Sequence, residues 1–298
     1  MPCRSPATGY RGPDGKIHFA SRKNSMGRFG FVTFNCGVCI DCRLQRAQEW
    51  AIRCYHESSM HERSSFLTLT FREDPGSICK RDLQLFFKRL REALPGVNLR
   101  YLACGEYGEK FSRPHYHVCL FGYDFPDKTP VHTAPSGNVQ YNSPLLDKLW
   151  PYGWATIGTL TMESAGYTAR YVKKKITGDS APEHYKREWR GQEIDVTPEF
   201  QLQSTRPALG RKWIQKFWPE VVAGNCVIYK GREKPIPRYY MKWLEQNQPE
   251  AHAKLVEQNR NYYKSEEVES GLREHQKALS RDHRRKKLIR RYEGETPE

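Results

Sequence analysis

The segment Arg113-Pro114-His115-Tyr116-His117-Val118-Cys119-Leu120-Phe121 constrains this chain more than any other stretch of it. Successive side chains of a β-strand point to opposite faces. His115 and His117 therefore share one face, and Tyr116, Val118 and Leu120 turn to a core on the other. A strand with one apolar face needs neighbours, and the sequence supplies them. Residues 65–71 alternate in the same way, and 99–104, 115–122 and 155–160 read as further strands, the middle pair joined by a polar turn over 105–113. Apolar spacing of three and four predicts helices over 41–60, 82–94 (closed by Pro95-Gly96) and 162–176. The expected fold class is α+β, an antiparallel sheet with helices on one face. Residues 124–148, rich in Pro, Ser, Gly and Asn, are expected as a loop, and beyond Asp179 the signal weakens. From Tyr239 the chain is charged and largely helical, ending in the basic run Arg281 to Arg291. The predicted organisation is an N-terminal arm and cysteine-cluster element over 1–60, a core domain over 61–180 and a partly helical basic region over 181–298.

Two imidazoles side by side on a rigid strand form a prepared pair of nitrogen ligands. A third ligand that also suits a metal handling phosphate oxygens is a carboxylate. Glu106, at the end of the preceding strand, is the first candidate and Glu109 the alternative. Taken alone, H-x-H also fits the polar face of a half-exposed strand.

A second pattern lies downstream. In Glu163-Ser-Ala-Gly-Tyr167-Thr-Ala-Arg170-Tyr171-Val-Lys173-Lys174-Lys175 two tyrosines are four residues apart and share a helix face. Arg170 and Lys174 each follow a tyrosine by three, so each phenol has a cation beside it. A phenol, with an ordinary pKa near 10, attacks well only when its oxyanion is stabilised. Such a tyrosine conserves phosphodiester energy in a protein–DNA bond, and the chain has no G-x-x-x-x-G-K-[ST] phosphate loop. An amphipathic helix with packed tyrosines and solvated lysines would show the same spacing.

Charge adds the partner class. With 49 Lys+Arg against 34 Asp+Glu the formal net charge is +15, which concentrates polyanions around the chain. Nucleic acid is expected rather than a membrane, since no basic amphipathic helix with a Trp/Leu face is evident. The first residues lack a secretory h-region, and a cytoplasmic site of action is expected. Nine cysteines in such a setting argue against a disulfide framework. Cys36-Gly37-Val38-Cys39-Ile40-Asp41-Cys42 instead has the C-x-x-C-x-x-C spacing of a structural zinc site lacking one ligand. Cys3 is the first candidate for the fourth, with Cys54 and His56 as others. Cys79, Cys104, Cys119 and Cys226 are expected as small core residues.

Together the motifs resemble the HUH endonuclease superfamily, and within it the replication initiators of small single-stranded DNA phages of the microvirus (gokushovirus-like) group. Phe66-Leu67-Thr68-Leu69-Thr70-Phe71 resembles the first family motif, His115-Tyr116-His117 the metal-binding second, and Tyr167-x-x-x-Tyr171-x-x-Lys174 the two-tyrosine third. Gly105-Glu106-Tyr107-Gly108 and Trp150-Pro151-Tyr152-Gly153 are similar in context, and the resemblance covers about residues 36–176. It implies an RRM-like antiparallel sheet and Mg²⁺ or Mn²⁺ on Glu106, His115 and His117. It further implies that Tyr167 or Tyr171 attacks single-stranded DNA with Lys174 steadying charge, leaving a 5′-phosphotyrosine and a 3′-OH. Arg113, Arg170, Lys173 and Lys175 are the expected DNA-binding cations, and zinc on Cys3, Cys36, Cys39 and Cys42 the structural cofactor. Arg170 stands where the family pattern has lysine, which suits clamping phosphate rather than proton transfer. The implied partners are a single-stranded origin, a host helicase and a host polymerase, in the cytoplasm of a bacterial host. A transposase or relaxase-type nickase, or a non-enzymatic zinc-containing single-strand-binding or packaging protein, are the competing readings.

Overall fold

A computed structural model describes residues 3, 6–11, 17–19, 31–108, 112–133, 137–171 and 181–266. The chain divides into two units, Met1–Gln48 and Glu49–Glu298. In the first, β1 (Ala7–Arg11) pairs antiparallel with both β2 (Ile17–Phe19) and β3 (Phe31–Phe34). The boundary between the units falls within α1 (Ile40–Ser58).

The second unit continues in chain order with β4 (Ser64–Phe71), α2 (Lys80–Ala93), β5 (Arg100–Tyr107), β6 (Pro114–Phe121), β7 (Thr129–Thr133) and β8 (Val139–Asn142). There follow α3 (Pro144–Leu149), β9 (Gly153–Thr159), α4 (Met162–Tyr171), α5 (Ala181–His184), β10 (Lys186–Trp189), β11 (Gln192–Asp195) and β12 (Phe200–Gln203). The last elements are α6 (Arg211–Gly224), β13 (Val227–Tyr229), β14 (Arg232–Lys234), α7 (Arg238–Asn247) and α8 (Pro249–Glu266). Seven strands form one sheet in the order β12-β5-β6-β4-β9-β8-β7, and every pairing in it is antiparallel.

The alternation of β4 and β6 decides which side chains meet. Leu67, Leu69, Tyr116, Val118 and Leu120 face α2 and α3, burying Phe86, Leu90 and Trp150 with them. Each fully buried Leu or Phe contributes roughly 1.5–3 kcal/mol of transfer free energy. The indole nitrogen of Trp150 donates to the Thr70 carbonyl at 3.1 Å, which satisfies its polar end inside that core. The expectation of helices on one face needs correction. Leu102, Cys119 and Phe121 have the opposite parity and pack with Cys54 of α1 and Ala165 of α4. The central strands are apolar on both sides over part of their length, so both faces require cover.

Residues 124–148, expected as a loop, hold β7, β8 and α3. All five residues of β7 are exposed, so the strand has no apolar alternation to announce it. Ser143 caps α3, its hydroxyl accepting from the Leu146 amide at 3.1 Å, with Pro144 at the first turn. Beyond 180, β12 adds to β5 at the sheet edge, and Ile214, Tyr240, Trp243, Leu244 and Leu255 of the C-terminal helices bury a core with Ile52 of α1. The basic run 281–291 lies outside the described residues. No helix among the described residues is long and apolar enough to cross a membrane.

Candidate functional site

The strand register assembles the site. β5 runs antiparallel to β6 with Glu106 opposite His115 and Cys104 opposite His117. On the other side of β6, Thr68 lies opposite His117 and Thr70 opposite His115. Glu106 therefore reaches the histidines as a cross-strand neighbour within the sheet, β5 extending to Tyr107 where a turn was expected from Gly105. Gly105 leaves room there for two rings: a Cβ would come within 2.9 Å of the Phe200 ring and 3.1 Å of the Tyr116 ring, so the Phe200 ring would have to move.

Both imidazole Nε2 atoms converge on Glu106 Oε1, His117 at 3.0 Å and His115 closer still. Glu106 is 1% exposed and His117 5%. The donor set points to a cation. His115 Nδ1 lies 3.0 Å from the Arg113 carbonyl, which accepts a hydrogen bond from its N–H; in the neutral ring that tautomer leaves the Nε2 lone pair facing the carboxylate, the arrangement a bound cation would bridge. Burial pushes the His117 imidazole below its usual range; the Glu106 carboxylate opposes this shift and neighbouring His115 reinforces it. A neutral imidazole is the form that ligates. Glu106 Oε2 is buried with no hydrogen-bond partner, an expensive omission in a site that holds no ion. The three ligand atoms lie within 4.8 Å of one another, so the group could hold a metal.

Thr68 supports this group from below, its hydroxyl 3.1 Å from His117 Nδ1, and the Phe66 ring stacks on the same imidazole at 5.5 Å. Within the strand Phe66 to Phe71, alternation alone assigns Thr68 no task. The signal was the parity it shares with the histidines.

Helix α4 brings the phenol. Thr161 and Ser164 cap it reciprocally, the Ser164 amide donating to Thr161 Oγ1 at 3.1 Å and the Thr161 amide to Ser164 Oγ at 2.8 Å. Ala165 and Ala169 are buried, and α4 packs on β5 and β6. Small residues at that contact let the helix approach the strands closely. Two positions past Ala165, the Tyr167 ring meets His117 edge to face, centroids 5.1 Å apart, and remains 38% exposed. The structure thus brings together Glu106, His115, His117 and Tyr167. The side chains of Arg170 and Tyr171, and all of Lys173, Lys174, Lys175 and Glu109, lie outside the described residues. Arg113, expected on DNA, donates from Nη2 to the carbonyls of Phe71 at 2.7 Å and Arg72 at 3.1 Å, and so ties the start of β6 to the end of β4.

In the first unit, the sulfurs of Cys3, Cys36, Cys39 and Cys42 lie within 4.8 Å of one another, a second group that could hold a metal. Cys3 and Cys39 are 3.8 Å apart and Cys36 and Cys42 4.0 Å. Gly37, at φ +77°, turns the chain so that the Cys39 amide donates to Cys36 Sγ at 3.3 Å, and the Cys36 amide donates to Cys3 Sγ at 3.2 Å. Amides of Cys39 and Val38 lower the Cys36 pKa, whereas burial pushes the Cys42 thiol up to about 12. Cys54 and His56, the other candidates for a fourth ligand, are not part of this group. None of the nine cysteines is in a disulfide. Cys104 and Cys119 are buried as expected, but Cys79 is exposed and Cys226 only half-buried, since each sits at an element end rather than in a strand interior.

Comparison with known proteins agrees with the motifs. The family described as replication-associated protein ORF2/G2P matches residues 64–176. The chain is 36% identical over 261 residues to the replication-associated protein VP4 of Bdellovibrio phage phiMH2K, covering 84% of this chain and 79% of that protein. It is 34% identical over 154 residues to the replication-associated protein ORF2 of Spiroplasma virus 4, covering 47% of this chain and 48% of that one. With the replication-associated protein ORF4 of Chlamydia phage 1 it shares 27% identity over 223 residues, 70% of this chain and 53% of that protein. No solved structure matches. By a relationship that spans most of both chains, this protein belongs to the family of phage replication-associated proteins.

Proposed function

We propose that the chain is a rolling-circle replication initiator that nicks single-stranded DNA by tyrosine transesterification. The observation that carries this reading is the contact of Tyr167 with His117, which puts a half-exposed phenol beside a buried His-His-Glu group. Glu106, His115 and His117 would hold one divalent cation, Mg²⁺ or Mn²⁺, which when bound withdraws charge from the scissile phosphate. Tyr167 Oη forms the new bond to phosphorus as its proton leaves, and the bond to the 3′ oxygen breaks. That oxygen takes up a proton, giving a 3′-OH for a polymerase and a 5′-phosphotyrosine on the protein. Tyr171, one helical turn on, would serve the second transfer that rejoins the ends, and Lys174 would steady developing negative charge. Arg113, Arg170, Lys173 and Lys175 are assigned to the DNA backbone. On this reading β4, β5, β6 and β9 belong to an RRM-like HUH core over 61–180, to which β12 of the basic region over 181–298 adds an edge strand, with a zinc-stapled arm over 1–60. Four sulfurs each about 2.3 Å from one Zn²⁺ are about 3.8 Å apart, close to the separations here. The partners are a single-stranded origin, a host helicase and a host polymerase, in the cytoplasm of a bacterial host cell.

The test is incubation with single-stranded DNA of the cognate phage and Mn²⁺, then mass spectrometry of the DNA-linked peptide. A link at Tyr167 or Tyr171 is expected in the wild type and no link in His117→Ala. Retained nicking by His117→Ala in the presence of Mg²⁺ would reject the metal role. Binding without any adduct in the wild type favours a single-strand-binding protein instead.

A further inference from the structure

The side chains of β4 and β9 on the histidine face are small apart from Phe66, which stacks on His117, and Trp154. Thr68, Thr70, Thr156 and Gly158 are half-buried, and β9 pairs Trp154 with Thr70 and Thr156 with Thr68. Trp154 therefore stands on the same cross-strand row as His115 and Glu106, in the order Trp154, Thr70, His115, Glu106. Its indole is 53% exposed, although the chain buries Trp150, four residues earlier, completely. A neighbouring strand adds about 4.8 Å, so Trp154 stands two strands, or about 10 Å, from His115. At about 3.4 Å per stacked nucleotide that is a span of a few nucleotides. The floor between them is threonine, too short to obstruct a strand laid across it.

From this row we infer that Trp154 is a stacking platform for a nucleobase of the single-stranded DNA that flanks the reacting phosphate. It grips the strand on the side of the site away from β5. An indole offers a flat apolar surface that every base can cover, and base–aromatic stacking tolerates sequence, so Trp154 holds the strand's path rather than reading its letters. The exposed Arg72 and the half-buried Arg113 lie at the adjoining strand ends, where a phosphate chain leaving the row would pass. Gly153 keeps the indole at the sheet surface: a Cβ there would sit 2.2 Å from the Thr70 carbonyl oxygen, so β9 enters hard against β4. The assignment rests on the proposed DNA nickase, but its test does not depend on catalysis.

The experiment measures binding of a fluorescein-labelled, mixed-sequence 30-nucleotide single strand to the full chain without added divalent metal, by anisotropy. Wild type, Trp154→Ala and Trp154→Phe are compared at several salt concentrations, with thermal unfolding of each. Trp154→Ala is expected to bind about tenfold more weakly with an unchanged salt slope and an unchanged melting temperature, and Trp154→Phe to keep most of the affinity. Equal affinity of wild type and Trp154→Ala, equal loss in both variants, or a loss matched by lowered thermal stability would overturn the assignment. A wild type whose binding depends on Trp154 but which never forms a covalent adduct would leave the platform standing and remove the nickase.

Discussion

His56 offers a quantitative test of the packing beneath the C-terminal helices. Its ring is 3% exposed, stacked on Trp213 with centroids 3.5 Å apart and an interplanar angle of 8°, with Nδ1 3.0 Å from the Tyr240 hydroxyl. Burial drops its pKa from an ordinary 6.5 to about 3. The native state therefore refuses a proton that the unfolded chain accepts, and stability falls as pH drops below 6.5 toward 3. Each pH unit in that window is about 1.4 kcal/mol, so from neutrality to pH 5 the loss is about 2 kcal/mol. His56→Phe keeps a flat ring against Trp213 and gives up the Tyr240 hydrogen bond, about 1 kcal/mol at any pH. Urea unfolding of both proteins at pH 7.5 and 5.0 is the assay. The wild type should lose about 2 kcal/mol more than the variant across that interval. Identical losses would mean that His56 is protonated in the fold or solvated, and the argument from burial would be wrong.

Thr68→Val keeps shape but removes the hydroxyl that orients His117, so Mn²⁺ affinity by calorimetry should weaken on the order of 10- to 100-fold with the fold intact; an unchanged dissociation constant would refute a supporting role for Thr68. Mn²⁺ should raise the melting temperature of the wild type, and Glu106→Gln, which removes the charge that balances a cation, should abolish that rise. Cys36→Ser should abolish stoichiometric zinc measured by elemental analysis of purified protein, and a full equivalent of zinc in that variant would count against the four-sulfur site. Gly153→Ala forces a methyl into the Thr70 carbonyl and should cost about 2–3 kcal/mol in chemical denaturation, whereas a neutral result would mean that the sheet yields there.

Local pattern accounts for part of the site. The parity of His115 and His117, the stripe that carries Tyr167 and the C-x-x-C-x-x-C spacing each follow from a repeat of two or 3.6 residues, or from adjacency along the chain. Such features are legible because neighbours in sequence are neighbours in space. Strand β7 was not legible because all its residues are exposed, and β12 was missed because four residues at a sheet edge carry too little alternation to read.

The sequence by itself determined the strand faces, the basic charge and the chemistry available: imidazoles, phenols, thiols and a nearby carboxylate. Only the tertiary structure decided which of them meet. Register across β5 and β6 placed Glu106 beside both histidines, Thr68 came from a strand almost fifty residues away, and α4 set Tyr167 against His117. Strand pairing is long-range, and a shift of one residue would send each of these side chains to the opposite face. The buried core that opposes such a shift is contributed by the whole unit, and no short segment encodes it.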